Sequence, residues 1–158
     1  WKSVLSVLLE NRLNMIHLLL DSDCTNPESS LSLTREELEE DNQVDCPDGF
    51  FENQVTLIGN KEFEDAFGND VYLRALNDDY PREDGDEWKN DHIQCLREED
   101  KFSKALQSAV YTDVEPQFRN DAGKPQLARS VAQHCRDDDI PEAVVDAFSS
   151  LRERAGIA

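Results

Sequence analysis

Met15-Ile16-His17-Leu18-Leu19-Leu20-Asp21-Ser22-Asp23 is an apolar run that stops abruptly at two aspartates. Its length and composition are those of a buried strand, although a buried piece of helix carries the same pattern. Alternate side chains of an extended chain share a face, so a strand continuing through Asp23 points Asp21 and Asp23 the same way. Two carboxylates at a strand end make a hard, oxygen-rich site suited to Mg2+ or Mn2+. In open α/β sheets, ligands also bind at the carboxyl ends of the strands. The competing reading of the same residues is a strand-end turn in which the aspartates only cap and solubilise.

Upstream, Val4, Leu5, Val7, Leu8, Leu9 and Leu13 recur at helical spacing and predict an amphipathic helix over residues 1–12. Helix then strand is half of an α/β unit. Downstream, residues 24–53 turn acidic and polar and read as a partly mobile insertion. Within it, Thr34 and Glu37 have capping-box spacing, and Pro47-Asp48-Gly49 marks a turn. Gln54-Val55-Thr56-Leu57-Ile58-Gly59 reads as a second strand ending at a glycine. The stretch 60–67 reads as a helix with Phe63 and Phe67 on one face. Glu62, Glu64 and Asp65 then lie off that face near the helix start. There they either complement the helix dipole or supply a further metal ligand facing Asp21 and Asp23.

The rest of the chain reads as helices. Segments 69–80, 88–95 and 98–110 carry apolar stripes, the last through Phe102, Leu106 and Val110. Lys124-Pro125 opens another helix, with proline in the first turn where its missing N–H is harmless. Leu127, Ala128, Val131 and Ala132 form its expected apolar stripe. Ile140-Pro141-Glu142 opens the last helix, expected to turn Val144, Val145, Phe148 and Leu151 inward, with Arg152 and Arg154 near its end. Segments 81–87 and 116–123 read as loops.

The 158 residues suffice for one domain with a real core, at 38% hydrophobic and 32% charged residues. The net charge of −19 excludes a grip on nucleic acid through bulk electrostatics. Any such contact needs local metal or a basic partner segment. No run is long enough to span a membrane, and no signal peptide is visible. Cys24, Cys46, Cys95 and Cys135 have no zinc-type spacing and read as reduced thiols of a cytoplasmic protein. The chain starts at Trp1 without an initiator methionine, which fits a fragment or a processed product.

Three stretches taken in order resemble the TOPRIM domain of OLD-family (overcoming lysogenization defect) nucleases. Leu20-Asp21-Ser22-Asp23 resembles the DxD motif. Gly59-Asn60-Lys61-Glu62-Phe63-Glu64-Asp65-Ala66-Phe67 is similar to the acidic element that follows it. Lys124-Pro125-Gln126-Leu127-Ala128 resembles the K-P-x-x-A element that opens a late helix. The resemblance implies an α/β, TOPRIM-like (Rossmann-like) fold with a small, mainly parallel sheet flanked by helices. It places that domain at 1–151, with 24–53 as the insertion and 140–158 as C-terminal helix and tail. It implies a metal-dependent endonuclease cutting DNA, in anti-phage defence or DNA processing. Two Mg2+ or Mn2+ ions would be held by Asp21, Asp23 and Glu64, with Glu62 or Asp65 as substitutes for Glu64. Lys124 would stabilise charge at the scissile phosphate. ATP would enter only through an upstream ATPase domain or subunit, in a homo-oligomer with no membrane contact. The family's first strand, carrying a glutamate in a V-E-G-x-x-E pattern, has no counterpart before Asp21. Glu10 lies within the predicted first helix. The strand then lies upstream of Trp1, or the domain is degenerate.

Two other readings remain open on the sequence. One is a TOPRIM domain acting on RNA or tRNA, or in a topoisomerase or primase setting, although Tyr72, Tyr80 and Tyr111 lack the context of a nucleophilic tyrosine. The other is a catalytically inactive acidic module that binds a basic protein partner. A receiver-type phospho-acceptor aspartate is a weaker rival.

Overall fold

Leu18–Asp21 (β1) pairs in parallel with Val55–Ile58 (β2), in the register Leu18 to Val55 through Asp21 to Ile58. Parallel neighbours need a long connection, supplied here by residues 22–54. The structure is a computed structural model and describes residues 16–26, 49–121 and 123–157. The helix expected at 1–12, the cap at Thr34 and most of the expected insertion lie outside these residues. The described chain is mixed α/β and mostly helical, with these two strands as its sheet. It falls into two compact units, Glu64–Ile140 in one and the described residues of 16–63 and 141–157 in the other.

In the strand unit, Phe50–Gln54 (α1) leads directly into β2, and Glu142–Arg154 (α6) packs on β2. The sequence reading gives residues 50–53 to the polar insertion and Gln54 to the strand, whereas these residues form α1. Phe50 and Ile58 are the largest fully buried side chains among the described residues of this unit. Gln54 donates to the carbonyl of Ile16 at 2.8 Å, which fixes the entry into β1. Gly59 follows β2 with φ of +76°, a left-handed conformation that glycine adopts without strain. Ser22 donates to the Gly59 carbonyl at 2.6 Å and ties the two strand ends together.

Arg154 is the other staple of this unit. It donates to the carbonyls of Asn53 (3.0 Å) and Ile16 (3.4 Å) and to His17 Nδ1 at 3.0 Å. His17 Nε2 lies 2.8 Å from Thr56 Oγ1. An acceptor at Nδ1 requires a neutral imidazole with its proton on Nε2, aimed at Thr56. Burial, aided by the Arg154 charge, lowers the His17 pKa below its usual 6.5. On α6 the expected inward stripe fails. Only Ala147 is buried, while Val145 and Phe148 are 48% and 56% exposed. Val144 and Leu151 are partly covered, so the stripe turns inward along one edge only.

The helical unit contains Asn69–Asp79 (α2), Asn90–Arg97 (α3), Phe102–Asp113 (α4) and Lys124–His134 (α5). Its core gathers Tyr72 and Leu76 from α2, Ile93 from α3, Phe102, Leu106 and Val110 from α4, and Leu127 from α5. Tyr72 and Phe102 meet edge to face at 5.0 Å, with the Arg97 guanidinium 4.5 Å from the Phe102 ring centre. Trp88 is buried ahead of α3, its indole N–H donating to the Tyr80 carbonyl at 2.8 Å. The expected stripe on α5 is narrower than the sequence suggests. Leu127 and Ser130 are buried, whereas Ala128 and Ala132 face solvent. Ser130 reaches that position by donating to Asp79 on α2 at 2.5 Å.

Leu76→Ala leaves a cavity in this core and should lower stability by about 2–5 kcal/mol in urea titration, whereas Ala128→Ser should change it by less than about 0.5 kcal/mol. His17 is neutral in the fold, so the unfolded chain takes up its proton first. The stability it contributes is therefore full above pH 6.5 and declines as pH falls through 6.5 towards the lowered folded value. Denaturation midpoints across that range should fall with pH, and His17→Gln should flatten the dependence.

Candidate functional site

Asp21 is the last residue of β1, as the sequence reading places it. Its Oδ1 accepts the Phe63 backbone N–H at 2.8 Å. The carboxylate therefore caps the turn beyond β2. The chain does not continue extended through Asp23. Ser22–Thr25 forms a 3-10 turn, and the Asp23 N–H donates to the Lys61 carbonyl at 3.0 Å. Alternation along a strand therefore does not set Asp23 beside Asp21, because that rule holds only for extended backbone. Ser22, bonded to Gly59, is a structural link between strand ends.

The acidic element 60–67 also differs from expectation. It is a single 3-10 turn, Phe63–Ala66, and not a helix carrying Phe63 and Phe67 on one face. Short 3-10 turns suit a stretch interrupted by Gly59 before it and Gly68 after it. Glu62 is buried at 5% exposure rather than presented on an acidic face. Two backbone bonds fix the acidic turn within the helical unit. The Glu64 carbonyl accepts the Tyr72 hydroxyl at 2.7 Å, and the Asp65 carbonyl accepts from Arg97 at 3.3 Å. No sequence pattern announces either partner.

Glu64 and Lys124 come together. Lys124 Nζ lies 2.9 Å from Glu64 Oε1, with the lysine side chain 59% and the glutamate 24% exposed. The lysine is the first residue of α5, after Gly123, with Pro125 in the same turn. A cation at the positive end of a helix is unfavourable by itself, and the Glu64 carboxylate offsets it. A solvent-facing ammonium beside helix N–H groups is also a place where a phosphate oxygen can bind.

Asp21 and Asp23 have the chemistry for a hard cation but not the number. Among the described residues, no three His, Cys, Asp or Glu side chains gather as a metal-binding group. Of the described cysteines, Cys24 is buried, Cys95 is exposed and Cys135 is partly covered. Burial, reinforced by nearby Asp139, raises the Cys135 thiol pKa, so it is a poor thiolate at neutral pH. His134 lies 3.3 Å from Asp79, the partner of Ser130, and reads as structural. No helix of the described residues is long and apolar enough to cross a membrane.

Asp21→Ala should destabilise the strand unit by about 1–3 kcal/mol by orphaning the Phe63 N–H, and Asp21→Asn, which keeps an acceptor, should recover most of that. A double-mutant cycle on Glu64→Gln and Lys124→Met should return a coupling of about 0.2–1 kcal/mol, as befits an exposed pair. The chain matches no protein-family model, no curated protein and no solved structure.

Proposed function

We propose that the chain is a TOPRIM-like α/β domain of the OLD nuclease type, hydrolysing phosphodiester bonds in DNA. The pairing of Glu64 with Lys124 carries this reading. The resemblance nominates both residues for catalysis from stretches far apart in the chain, and they lie within contact distance. The parallel strand pair ending at Asp21 supports it as well. In this reading, Lys124 binds a non-bridging oxygen of the scissile phosphate and stabilises the charge that develops there. Glu64 is a positioning residue that holds the ammonium at the mouth of α5. The reading carries a requirement for Mg2+ or Mn2+, with Asp21 and Asp23 of the strand unit as the first donors. ATP dependence and the grip on DNA would belong to an ATPase partner.

A second reading is favoured by one observation, the Asp21 carboxylate engaged as a cap with no three-donor group around it among the described residues. It makes the chain an acidic module whose charge of −19 attracts a basic protein.

Nicking of supercoiled plasmid in Mn2+ tests the first reading. Lys124→Ala should slow it by about a hundredfold or more, and EDTA should abolish it. Calorimetry should show Mn2+ binding that is lost in Asp21→Asn/Asp23→Asn, variants that keep the turn capped. Nicking untouched by Lys124→Ala overturns the assignment. Absence of both nicking and Mn2+ binding selects the interaction module.

A further inference from the structure

We propose that the outer face of α4 is a nucleotide-binding groove, taking a phosphate and a stacked base. Lys104, Gln107, Ser108 and Tyr111 are spaced as one stripe along α4. The opposite stripe, Phe102, Leu106 and Val110, is buried in the core. With Arg119 and Gly123, the outer stripe lines a surface groove of about 340 Å3. That volume is at the small end of ligand sites and suits one nucleotide unit. A second hollow of about 610 Å3 shares Lys104 and Ser108, and Glu99, Asp100 and Asp113 also line it, so only the smaller groove suits an anion.

The chemistry of the smaller groove departs from the rest of the chain. Acidic residues outnumber basic ones 35 to 16 in the sequence, yet none is among the described residues lining this groove. Lys104 is exposed and forms no ion pair with a described residue. Arg119 is held in place rather than waving. Its Nε donates to the Val114 carbonyl at 3.0 Å, and one terminal nitrogen donates to Glu83 at 2.7 Å. Glu83 is 58% exposed, so that pair is solvent-screened and leaves the guanidinium usable. Tyr111 is 63% exposed, the most exposed of the large hydrophobic residues among those described. An aromatic face flanked by two cations matches a base with its phosphate, because stacking accepts any base and the cations take the phosphate charge. Ser108 adds a hydroxyl on the same stripe. Bulk charge repels an anion from this protein, so binding has to arise from these few groups. The site needs no hydrolysis at Lys124 and stands or falls separately from it.

The test is fluorescence anisotropy of a labelled single-stranded thymidine 12-mer, in EDTA so that no cleavage intervenes. The expected result is saturable binding that weakens at least about tenfold in Tyr111→Ala and in Lys104→Ala and is kept in Tyr111→Phe. Both side chains are solvent-facing, and circular dichroism checks that the fold is retained. Competition by thymidine monophosphate assigns the groove to a free nucleotide, and competition only by unlabelled strand assigns it to nucleotides within a chain. No binding, binding indifferent to Tyr111→Ala, or inorganic phosphate competing as well as the nucleotide overturns the proposal.

Discussion

The Arg154 guanidinium is the interaction on which the strand unit depends. Two four-residue strands are marginal by themselves, since a lone pair in water buries little and pairs few backbone groups. Arg154 reaches from the end of α6 to the chain just before β1, at Ile16 and His17, and just before β2, at Asn53. One rigid, forked cation therefore sets both strand starts against each other. Ser150, one helical turn earlier, orients it with a bond of 2.6 Å. The Nε of Arg154 is buried without a hydrogen-bond partner among the described residues, a desolvation cost that the other bonds must outweigh.

The same habit recurs in the helical unit. Arg97 donates to the carbonyls of Asp65 and Phe67 and lies over Phe102. Arg74 donates to the carbonyl of His134 and pairs with Asp139. Arg119 donates to the carbonyl of Val114. With carboxylates in such excess, the expected use of cations is to neutralise them. Several arginines instead satisfy backbone acceptors at turns and helix ends, where a planar donor array suits irregular geometry. Among the described residues, carboxylates such as Asp84, Glu87 and Glu99 are exposed and set the charge of the surface around them.

Legibility tracked how local each constraint is. β1, β2 and the long helices were readable because apolar spacing is a local property, and the buried positions Phe102, Leu106 and Val110 follow it. The opening of α5 was readable from Lys124-Pro125, since proline in a first turn has few other uses. What failed was decided elsewhere in the chain. The turn after β1 bends because Asp21 and Asp23 engage the segment Lys61 to Phe63, not because of their own spacing. The apolar stripes of α5 and α6 were overdrawn because periodicity shows which side chains share a face but not how wide a partner surface is. Of the candidate site, no local pattern in the sequence brings Glu64 and Lys124 together. The hold of Tyr72 and Arg97 on the acidic turn had no signal in the sequence.

The division of the chain has a consequence for its birth on the ribosome. The helical unit draws on one unbroken stretch, Glu64–Ile140, and the whole of its core has been translated before Pro141 is added. The strand unit is split, with its sheet translated before the helical unit and α6, bearing Arg154, after it. Its strands must wait, without their staple, while the entire helical unit is synthesised. The high density of carboxylates on the nascent segment suits that delay, since like charges keep an unfinished chain from associating with its neighbours.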